Sequence, residues 1–341
     1  MSDRVMAMLE RCVAGYADVA SRSHIREIAE VDRDLHLEVT SADLLASDVM
    51  GVTIAGPAGA ELPEWHPGAH IDLVLPSGRQ RQYSLCGDPA DRSSYRIAVR
   101  RLHEGGGGSI EVHELTEGTA VTVRGPRNAF PFAYPHLAKH DIREIAFVAG
   151  GIGITALLPM VRAAAAAGVP WSLTYVGRDE GTMPFLIELR AIVGGHVRVL
   201  HGRPSPEDVL TAVGPGTSVY FCGPSPFLDA IRKALADKPH EGFHFEWFTP
   251  PETVDGRSFR IRLARSGHDI EVPADRSALA AIRDVRPDVP YSCQQGFCGT
   301  CRVDVLRGKP DQRGTASFLD RPGTMLVCVD RSDDPHLTID L

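Results

Sequence analysis

Four of the seven cysteines in this 341-residue chain are clustered near its C-terminus, and their spacing constrains the fold more than any other feature. Cys293, Cys298 and Cys301 form a C-x4-C-x2-C motif in CQQGFCGTC, and Cys328 follows after 26 further residues in MLVCV. If the four sulfurs bind one group, a tight loop must supply three of them and a distant strand the fourth. The C-terminal segment is therefore expected to fold around a shared ligand site.

Disulfides, zinc and an iron–sulfur cluster are the three candidates for that site. The N-terminus lacks the apolar stretch of a secretory signal, so we expect a cytoplasmic chain, in which thiols stay reduced. Zinc sites usually combine two short Cys/His pairs, whereas Cys328 has no adjacent cysteine or histidine. The spacing is that of a plant-type [2Fe–2S] ferredoxin, which favours a cluster. Gly296 and Gly299 would let the loop adopt positive φ and bring backbone N–H groups close to the sulfurs.

Length and composition indicate a globular protein of more than one domain. Apolar residues make up 43% of the chain and charged residues 23%, which is ordinary for a globular fold, and 341 residues exceed what one core usually supports. The net charge of -8 argues against a general nucleic-acid binder. Because no run of about 18 uncharged apolar residues occurs, we expect no membrane-spanning helix.

The hydrophobic pattern changes several times along the chain and predicts three domains. Residues 1–23 have the spacing of a short amphipathic helix, an N-terminal extension. Short alternating runs separated by turns then predict an antiparallel barrel or sandwich, and strands that alternate with helices predict a parallel α/β sheet. The predicted boundaries are the antiparallel domain at 24–136, the parallel domain at 137–248, a Pro/Gly-rich linker at 249–257 and the cysteine-containing domain at 258–341.

Two segments outside the cysteine cluster have the residue types of a cofactor site. In VAGGIGIT (148–155) a strand leads into a helix through glycines, which would let a dinucleotide pyrophosphate approach the backbone. In RQYSL (81–85), Arg81 would suit a phosphate, Tyr83 a planar ring and Ser84 a hydrogen bond to that ring. Taken singly, each segment has an ordinary alternative: a tightly packed turn in which Thr155 caps the helix, or a plain amphipathic strand.

Taken together and in this order, these motifs resemble the phthalate dioxygenase reductase family, which also includes the reductase of vanillate O-demethylase. The resemblance covers roughly residues 25–341. In that family a flavin-binding barrel is followed by a nucleotide domain and then by a C-terminal ferredoxin. The motifs that carry the resemblance are RQYSL (81–85), IAVRR (97–101), GGS (107–109), PRNAFPF (126–132), GGIGIT (150–155), YFCGP (220–224), FEWF (245–248) and the four cysteines.

The resemblance implies a set of cofactors and the residues that bind them. The fold would combine an antiparallel β-barrel for the flavin, an α/β parallel sheet for the nucleotide and an α+β ferredoxin of the β-grasp type. The four cysteines would hold a [2Fe–2S] cluster. The flavin would be FMN, with Phe248 closing over it, and its other contacts would be Arg81, Tyr83, Ser84, Leu85, Arg100, Gly107 and Ser109. The nicotinamide dinucleotide would meet Gly151, Gly153 and Thr155, and its nicotinamide would be bordered by Cys222 and Gly223, unless Cys222 is only a buried small apolar residue.

The same resemblance implies an NADH-dependent reductase that feeds a separate terminal oxygenase, of the Rieske non-haem iron type. It implies a monomer and needs no acid–base residue, because the cofactors carry the chemistry. NADH is favoured over NADPH because Asp179 and Glu180 follow Arg178 where a 2′-phosphate would lie. Gln294, Gln295 and Phe297 are predicted to form an exposed docking surface. The alternatives are a reductase for a cytochrome P450, a redox-sensing or electron-relay module without catalytic activity, and a zinc-stabilised binding protein.

Overall fold

The computed structural model contains three sheets that follow one another along the chain. Residues 35–341 form one compact unit. The helix predicted over 1–23, residues 249–255 of the predicted linker, and two of the four motif cysteines lie outside the described residues. The structure describes residues 34–57, 60–103, 107–132, 142–246, 248, 256–291, 294–296, 299–313 and 323–341.

The first sheet is antiparallel and has six strands in the order β4-β3-β6-β1-β2-β5. Its edge strands β4 and β5 approach each other, which closes the sheet into a barrel. Because successive strand residues point to opposite faces, Ile71 and Leu73 of β3 enter the barrel core and are fully buried. A short helix, α1 (Gly108–Val112), follows β5. The strands are β1 (Asp34–Ala46), β2 (Val49–Ala55), β3 (Ala69–Val74), β4 (Gln80–Ser84), β5 (Ser94–Arg100) and β6 (Ala120–Asn128).

The second sheet is parallel, with five strands in the order β11-β10-β7-β8-β9. Helices connect its strands, so the central strands are buried on both faces and consist almost entirely of apolar residues. The helices are α2 (Ile154–Ala166), α3 (Leu186–Ala191), α4 (Pro206–Val209) and α5 (Ser225–Leu235). The strands are β7 (Glu144–Gly150), β8 (Trp171–Gly177), β9 (Gly195–His201), β10 (Thr217–Cys222) and β11 (Gly242–Glu246).

The third sheet is mixed and carries the C-terminal cysteines. Its order is β13-β12-β18-β14-β16, with β12 and β18 parallel and the other pairs antiparallel, and β15 pairs with β17 beside it. One helix, α6 (Ala278–Arg283), packs on this sheet, and the Ser277 hydroxyl caps its first turn. The strands are β12 (Phe259–Leu263), β13 (Asp269–Val272), β14 (Arg302–Arg307), β15 (Pro310–Asp311), β16 (Thr324–Leu326), β17 (Arg331–Ser332) and β18 (His336–Ile339).

The predicted fold class is confirmed: an antiparallel barrel, a parallel α/β sheet and an α+β ferredoxin-type domain follow one another. The three sheets lie within the three predicted segments, while the exact domain boundaries remain predictions. None of the helices in the described part of the chain has the length and apolar character needed to cross a bilayer.

The buried apolar side chains join two of the three sheets and leave the third separate. One cluster combines barrel residues, among them Val49, Ala98 and Phe130, with residues of β7, α2 and β10. The Phe130 ring lies 5.9 Å from that of Tyr220 on β10. The apolar cluster of the third sheet contains only residues between Phe259 and Leu341. The barrel and the parallel sheet therefore share a core, and the third sheet has its own.

Candidate cofactor sites

Two of the predicted metal ligands are brought together by the pairing of β14 with β16. Cys301 precedes β14 and Cys328 lies two residues after β16, and the register Arg302↔Leu326 brings both cysteines to the same end of this strand pair. The Val327 N–H donates to the Cys301 carbonyl at 3.3 Å. Both cysteines are buried. Cys293 and Cys298 lie outside the described residues, so the complete set of four ligands remains a prediction.

The glycines of the loop between Cys293 and Cys301 have the positive φ values that the sequence predicted. Gly296 and Gly299 have φ values of 79° and 74°, and Gln294 has a φ of 53°. Positive φ costs glycine little and turns successive N–H groups to one side of a loop. Two buried cysteines beside such a loop fit a thiolate-bound cluster, whose sulfurs accept backbone hydrogen bonds.

The prediction that Gln294 belongs to an exposed docking surface in this loop is wrong. Its side chain is half-buried, and its Nε2 donates to Gln82 Oε1 on barrel strand β4 at 3.5 Å. Gln295 is also half-buried, and Phe297 lies outside the described residues. Gln294 therefore faces the barrel, because the third sheet packs with its cysteine loop toward β4.

Strand β4 holds the predicted flavin residues at the edge of the barrel. The Arg81 side chain passes close to Gly108, where an added Cβ would lie 2.7 Å from Arg81 Cγ. Tyr83 is half-buried against the barrel core, and burial raises the pKa of its phenol to about 12, so it stays neutral. Ser84 and Leu85 are buried. Arg81 and Tyr83 therefore lie beside the start of α1, near the other residues predicted to bind flavin.

Gly107 and Ser109 shape the start of α1. Gly107, with φ 73°, is the residue that precedes the helix. The Ser109 hydroxyl accepts the N–H of Leu102 at 3.0 Å and so ties α1 to the end of β5. Both predicted residues therefore belong to one turn, next to Arg81.

Arg100 lies between the barrel and the glycine-rich loop of the parallel sheet. Its Nη2 donates to the Thr182 carbonyl at 3.3 Å. An added Cβ on Gly151 would lie 3.1 Å from its Nη1. The residue was predicted beside the flavin phosphate, and its guanidinium contacts the segment predicted to bind the dinucleotide.

The glycine-rich loop and the end of β10 meet at the carboxyl edge of the parallel sheet. Cys222 pairs with Ala149 of β7. A side chain at Gly153 would clash with the Cys222 carbonyl, and Gly223 also packs against the loop. Ligands bind at this edge in open α/β sheets. The structure thus places Gly151, Gly153, Cys222 and Gly223 together.

The side chains of Thr155 and Cys222 are both buried. Thr155 is buried, and its hydroxyl donates to the Ile152 carbonyl at 2.9 Å without capping α2. Cys222 is fully buried. Desolvation is the larger cause, and the nearby Glu246 the smaller one, that raises the pKa of its thiol well above the ordinary range. It is therefore a neutral thiol at physiological pH.

Glu246 is a site residue that sequence analysis missed. It is the last residue of β11, pairs with Cys222 and is buried, and its Oε2 has no hydrogen-bond partner among the described residues. Burial raises the pKa of this carboxyl to about 8. Phe248, two residues later, is 46% exposed. The available signal was a lone acidic residue within the otherwise apolar FEWF segment.

Two exposed carboxylates follow β8, where the ribose of a bound dinucleotide lies in sheets of this kind. Asp179 Oδ1 accepts the Thr182 N–H at 3.1 Å, and Glu180 pairs with Arg190 at 2.7 Å. Arg178 beside them is exposed. The expected ribose position after β8 therefore has two negative charges, on Asp179 and Glu180, and two positive charges, on Arg178 and Arg190.

A closed antiparallel barrel, a parallel sheet with a glycine-rich loop and a cysteine-bearing β-grasp domain define a modular flavin and iron–sulfur reductase. Residues 261–330 match the 2Fe-2S iron-sulfur cluster binding domain. Over 322 residues the chain is 36% identical to the phthalate dioxygenase reductase of Burkholderia cepacia, covering 91% of this chain and 98% of that protein.

Solved structures agree with the sequence comparison. The structure described as phthalate dioxygenase reductase, a modular structure for electron transfer from pyridine nucleotides to [2Fe-2S], matches with a TM-score of 0.68 and 35% identity, over 91% of this chain and 98% of that one. An intact type IV self-sufficient cytochrome P450 monooxygenase matches with a TM-score of 0.71 and 33% identity, over 93% of this chain but only 43% of that longer one.

The chain belongs to the phthalate dioxygenase reductase family. It is an oxidoreductase, the flavin and iron–sulfur component that passes electrons to an oxygenase. The predicted family, fold class and enzyme class are thereby confirmed, and the plain zinc-binding and redox-sensing alternatives are not supported.

Proposed function

We propose that this reductase oxidises NADH and passes the electrons through FMN and a [2Fe–2S] cluster to a Rieske non-haem iron oxygenase. The observation that carries the proposal is the placement of Arg100, which donates to the Thr182 carbonyl and whose guanidinium lies beside Gly151. It joins the end of β5, beside the predicted flavin residues, to the loop predicted to bind the dinucleotide. Two cofactors bound at these places would be neighbours, as hydride transfer requires.

On the barrel side, the described residues can hold a flavin that ends in a single phosphate. Arg81, whose side chain lies beside Gly108, and the N–H groups at the start of α1 would supply positive charge for the phosphate, and the Tyr83 phenol would supply a neutral aromatic surface. Ser84, Leu85 and Ser109 line the same edge. We propose FMN as the flavin, as the family resemblance implies, with its single phosphate beside Arg81 and the turn at Gly107.

On the nucleotide side, Gly151, Gly153 and Thr155 would leave room for the pyrophosphate, and the Arg100 guanidinium would donate to it. Cys222, Gly223 and Phe248 would surround the nicotinamide. Cys222 is neutral and Glu246 is protonated below about pH 8, so neither brings a negative charge to the site at neutral pH. Asp179 and Glu180 would offset the charges of Arg178 and Arg190, so the position lacks the net positive charge that a 2′-phosphate needs, which favours NADH.

At the third sheet, Cys293, Cys298, Cys301 and Cys328 would bind the cluster. A bound flavin accepts two electrons as a hydride and releases them singly, which lets a one-electron carrier follow a two-electron donor. The chain's own contribution is position: the Arg100 contact fixes the nucleotide loop against the barrel, and buried side chains exclude water from the sheet edges.

An anaerobic titration with NADH tests the proposal directly. We expect the flavin absorbance to bleach first and the rhombic EPR signal of a reduced [2Fe–2S] cluster to appear afterwards. Chromatography of the released flavin should show FMN, and NADPH should reduce the protein more slowly than NADH. Flavin bleaching with no cluster signal, in protein that contains iron, would contradict electron transfer through the cluster.

A cytochrome P450 is the second candidate acceptor, and one observation favours it. The same three-sheet arrangement makes up 43% of a self-sufficient cytochrome P450 monooxygenase chain. Reconstitution separates the two acceptors: NADH-dependent product formation with a purified Rieske oxygenase supports our proposal, and product formation only with a P450 replaces it. We propose a monomer in the cytoplasm, where thiols stay reduced and NADH is available, and size-exclusion chromatography tests the oligomeric state.

A further inference from the structure

Strand β4 presents different residues to its two sides. In the β3–β4 register, Arg81 lies opposite Leu73 and Tyr83 opposite Ile71, both of which are core residues of the barrel. Gln82 lies opposite Asp72, so Gln80, Gln82 and Asp72 share the other face. One strand therefore carries Arg81 and Tyr83 on one face, and Gln80 and Gln82, together with Ser84, on the other.

Both glutamines accept hydrogen bonds from the ferredoxin domain. Arg283, the last residue of α6, donates from Nη2 to Gln80 Oε1 at 3.3 Å. Gln294, in the cysteine loop, donates from Nε2 to Gln82 Oε1 at 3.5 Å. The two donors come from different elements of the ferredoxin domain, so together they fix its orientation and its distance from the strand.

The acceptor Gln80 is held rigidly by the barrel. Its Nε2 donates to Asp72 Oδ2 at 2.5 Å, and its Oε1 also accepts Arg124 Nη1 at 3.1 Å. Asp72 is only 2% exposed and binds Arg127 as well. Because a carboxylate can only accept, the amide nitrogen must face Asp72, which leaves the amide oxygen directed at Arg283.

The donor Arg283 is also fixed from the ferredoxin side. Its guanidinium carbon lies 4.3 Å from the centre of the Tyr291 ring, and Tyr291 stands two residues before Cys293. Arg283 therefore contacts the segment that leads into the cysteine loop and, at the same time, the barrel strand that carries Arg81 and Tyr83.

We propose that Gln80, Gln82, Arg283 and Gln294 are positioning residues that hold the cysteine loop against the flavin strand and so set the rate of flavin-to-cluster electron transfer. We call these four residues the docking seam. This inference rests on the proposed function. The seam acts in the step in which one electron leaves the reduced flavin and reduces one oxidised cluster, and it takes no part in hydride transfer from NADH. No apolar cluster of the described residues bridges this boundary, so the polar contacts are what define it.

The test compares Arg283→Met, which keeps the apolar stem over Tyr291, with Arg283→Lys, which keeps a donor. Stopped-flow mixing with NADH resolves flavin reduction and cluster reduction at separate wavelengths. For Arg283→Met we expect unchanged flavin reduction, unchanged iron content and EPR signal, and cluster reduction slowed by about tenfold or more, since small misplacements of reacting centres have effects of this size. Arg283→Lys should recover most of the rate. The matched control is Arg262→Met, which breaks the exposed Arg262–Asp269 pair on the same domain.

A double-mutant cycle with Gln80→Met identifies the contact itself. If Arg283 acts through Gln80, the double variant should be no slower than the slower single variant. Effects that multiply would overturn the pairing. Small-angle X-ray scattering gives a readout independent of turnover: the radius of gyration should rise in Arg283→Met and stay constant in Arg262→Met.

Other outcomes are equally decisive. If Arg283→Met loses its iron, Gln82→Leu on the barrel side replaces it, because that change leaves the ferredoxin domain intact. Normal cluster reduction in both Arg283→Met and Gln82→Leu would refute the seam while leaving the proposed function in place. Failure of the unaltered protein to reduce its cluster with NADH would instead refute the proposed function.

Discussion

The barrel meets its two neighbours in different ways. It shares a continuous apolar core with the parallel sheet, in which Phe130 packs near Tyr220, and ion pairs of Glu188 with Arg96 and Arg162 lie at the margin. Toward the ferredoxin domain, the contacts include hydrogen bonds from Arg283 and Gln294 to β4. Burial of apolar area gives a strong and nondirectional contact, whereas hydrogen bonds add little net stability and much orientation.

This difference matches what the two boundaries must do. Hydride transfer needs reacting atoms in near contact, so the flavin and nucleotide domains gain from a rigid common core. Electron transfer to a cluster, and then to a separate protein, does not need a large buried apolar area. A boundary that a few directional hydrogen bonds hold in one orientation is sufficient. We therefore expect the barrel and the parallel sheet to unfold as one unit and the ferredoxin domain to unfold independently.

The largest expected effect comes from Phe130→Ala in the shared core. Removing a buried phenyl ring should lower the free energy of unfolding by about 3–5 kcal/mol. Denaturant titrations, followed by flavin fluorescence and by visible cluster absorbance, should show the flavin transition shifted and the cluster transition almost unchanged. Phe130→Leu, which keeps most of the apolar volume, should shift the flavin transition much less. Equal shifts in both transitions would break the proposed division into two units.

The next effect concerns Glu246 and depends on pH. Burial raises its carboxyl pKa from the usual 4.5 to about 8 in the folded protein. Between these values the unfolded chain has lost a proton that the folded chain keeps, so stability falls as pH rises through this window. Glu246→Gln should remove this slope and stabilise the protein by up to a few kcal/mol near pH 8.

Thermal melts of both proteins at a series of pH values measure this difference. Glu180→Gln, at an exposed carboxylate of the same domain, is the control and should keep the slope of the unaltered protein. A slope that survives in Glu246→Gln would mean that the carboxyl is already ionised at neutral pH.

A moderate effect is expected from Arg100→Met at the contact between the barrel and the glycine-rich loop. Loss of a charge-assisted donor to the pyrophosphate should raise the KM for NADH by about tenfold. Ferricyanide reduction, which reports on the flavin alone, is the assay, and Arg100→Lys should show a smaller change. The rate of flavin-to-cluster transfer should stay constant, in contrast to Arg283→Met. A KM that does not change would place Arg100 outside the dinucleotide site.

The smallest effect belongs to Glu188→Gln, which weakens both ion pairs at the margin of the shared core. The three side chains are about one-third exposed, so we expect a loss of only about 1 kcal/mol in the flavin transition. Arg262→Met, which breaks an exposed pair within the ferredoxin domain, should leave the flavin transition unchanged. A change in flavin-to-cluster transfer in Glu188→Gln would show that the two boundaries are not independent.

The sequence predicted those features that depend on local pattern. Alternation with period two gave the barrel strands, helices between apolar runs gave the parallel sheet, and cysteine spacing gave the ferredoxin domain. The positive φ values of Gly296 and Gly299 also followed from the need to turn a short loop toward sulfur. The adjacency of Gly153 and Cys222 could be expected because Gly153 lies in the turn after β7 and Cys222 ends β10, and both strands belong to one parallel sheet.

What depends on the packing of one domain against another was not predictable. Gln294 was expected to face solvent, since nothing in its own segment reveals that β4 lies against it. The direction of the Arg100 side chain is set by Thr182 and Gly151, which lie in another domain. Glu246 was missed because an acidic residue in a strand usually faces water, and only the neighbouring strands show that this one is buried.

A self-contained core in the last third of the chain has a consequence for exchange between reductases. A domain that folds around its own apolar residues can be transferred to another reductase, or replaced by a homologous domain, without changes to the core of the other domains. The recipient needs two matching amides on a single edge strand, and the incoming domain needs a guanidinium and an amide to meet them. The match between these four side chains would then help to decide whether a transplanted domain receives electrons.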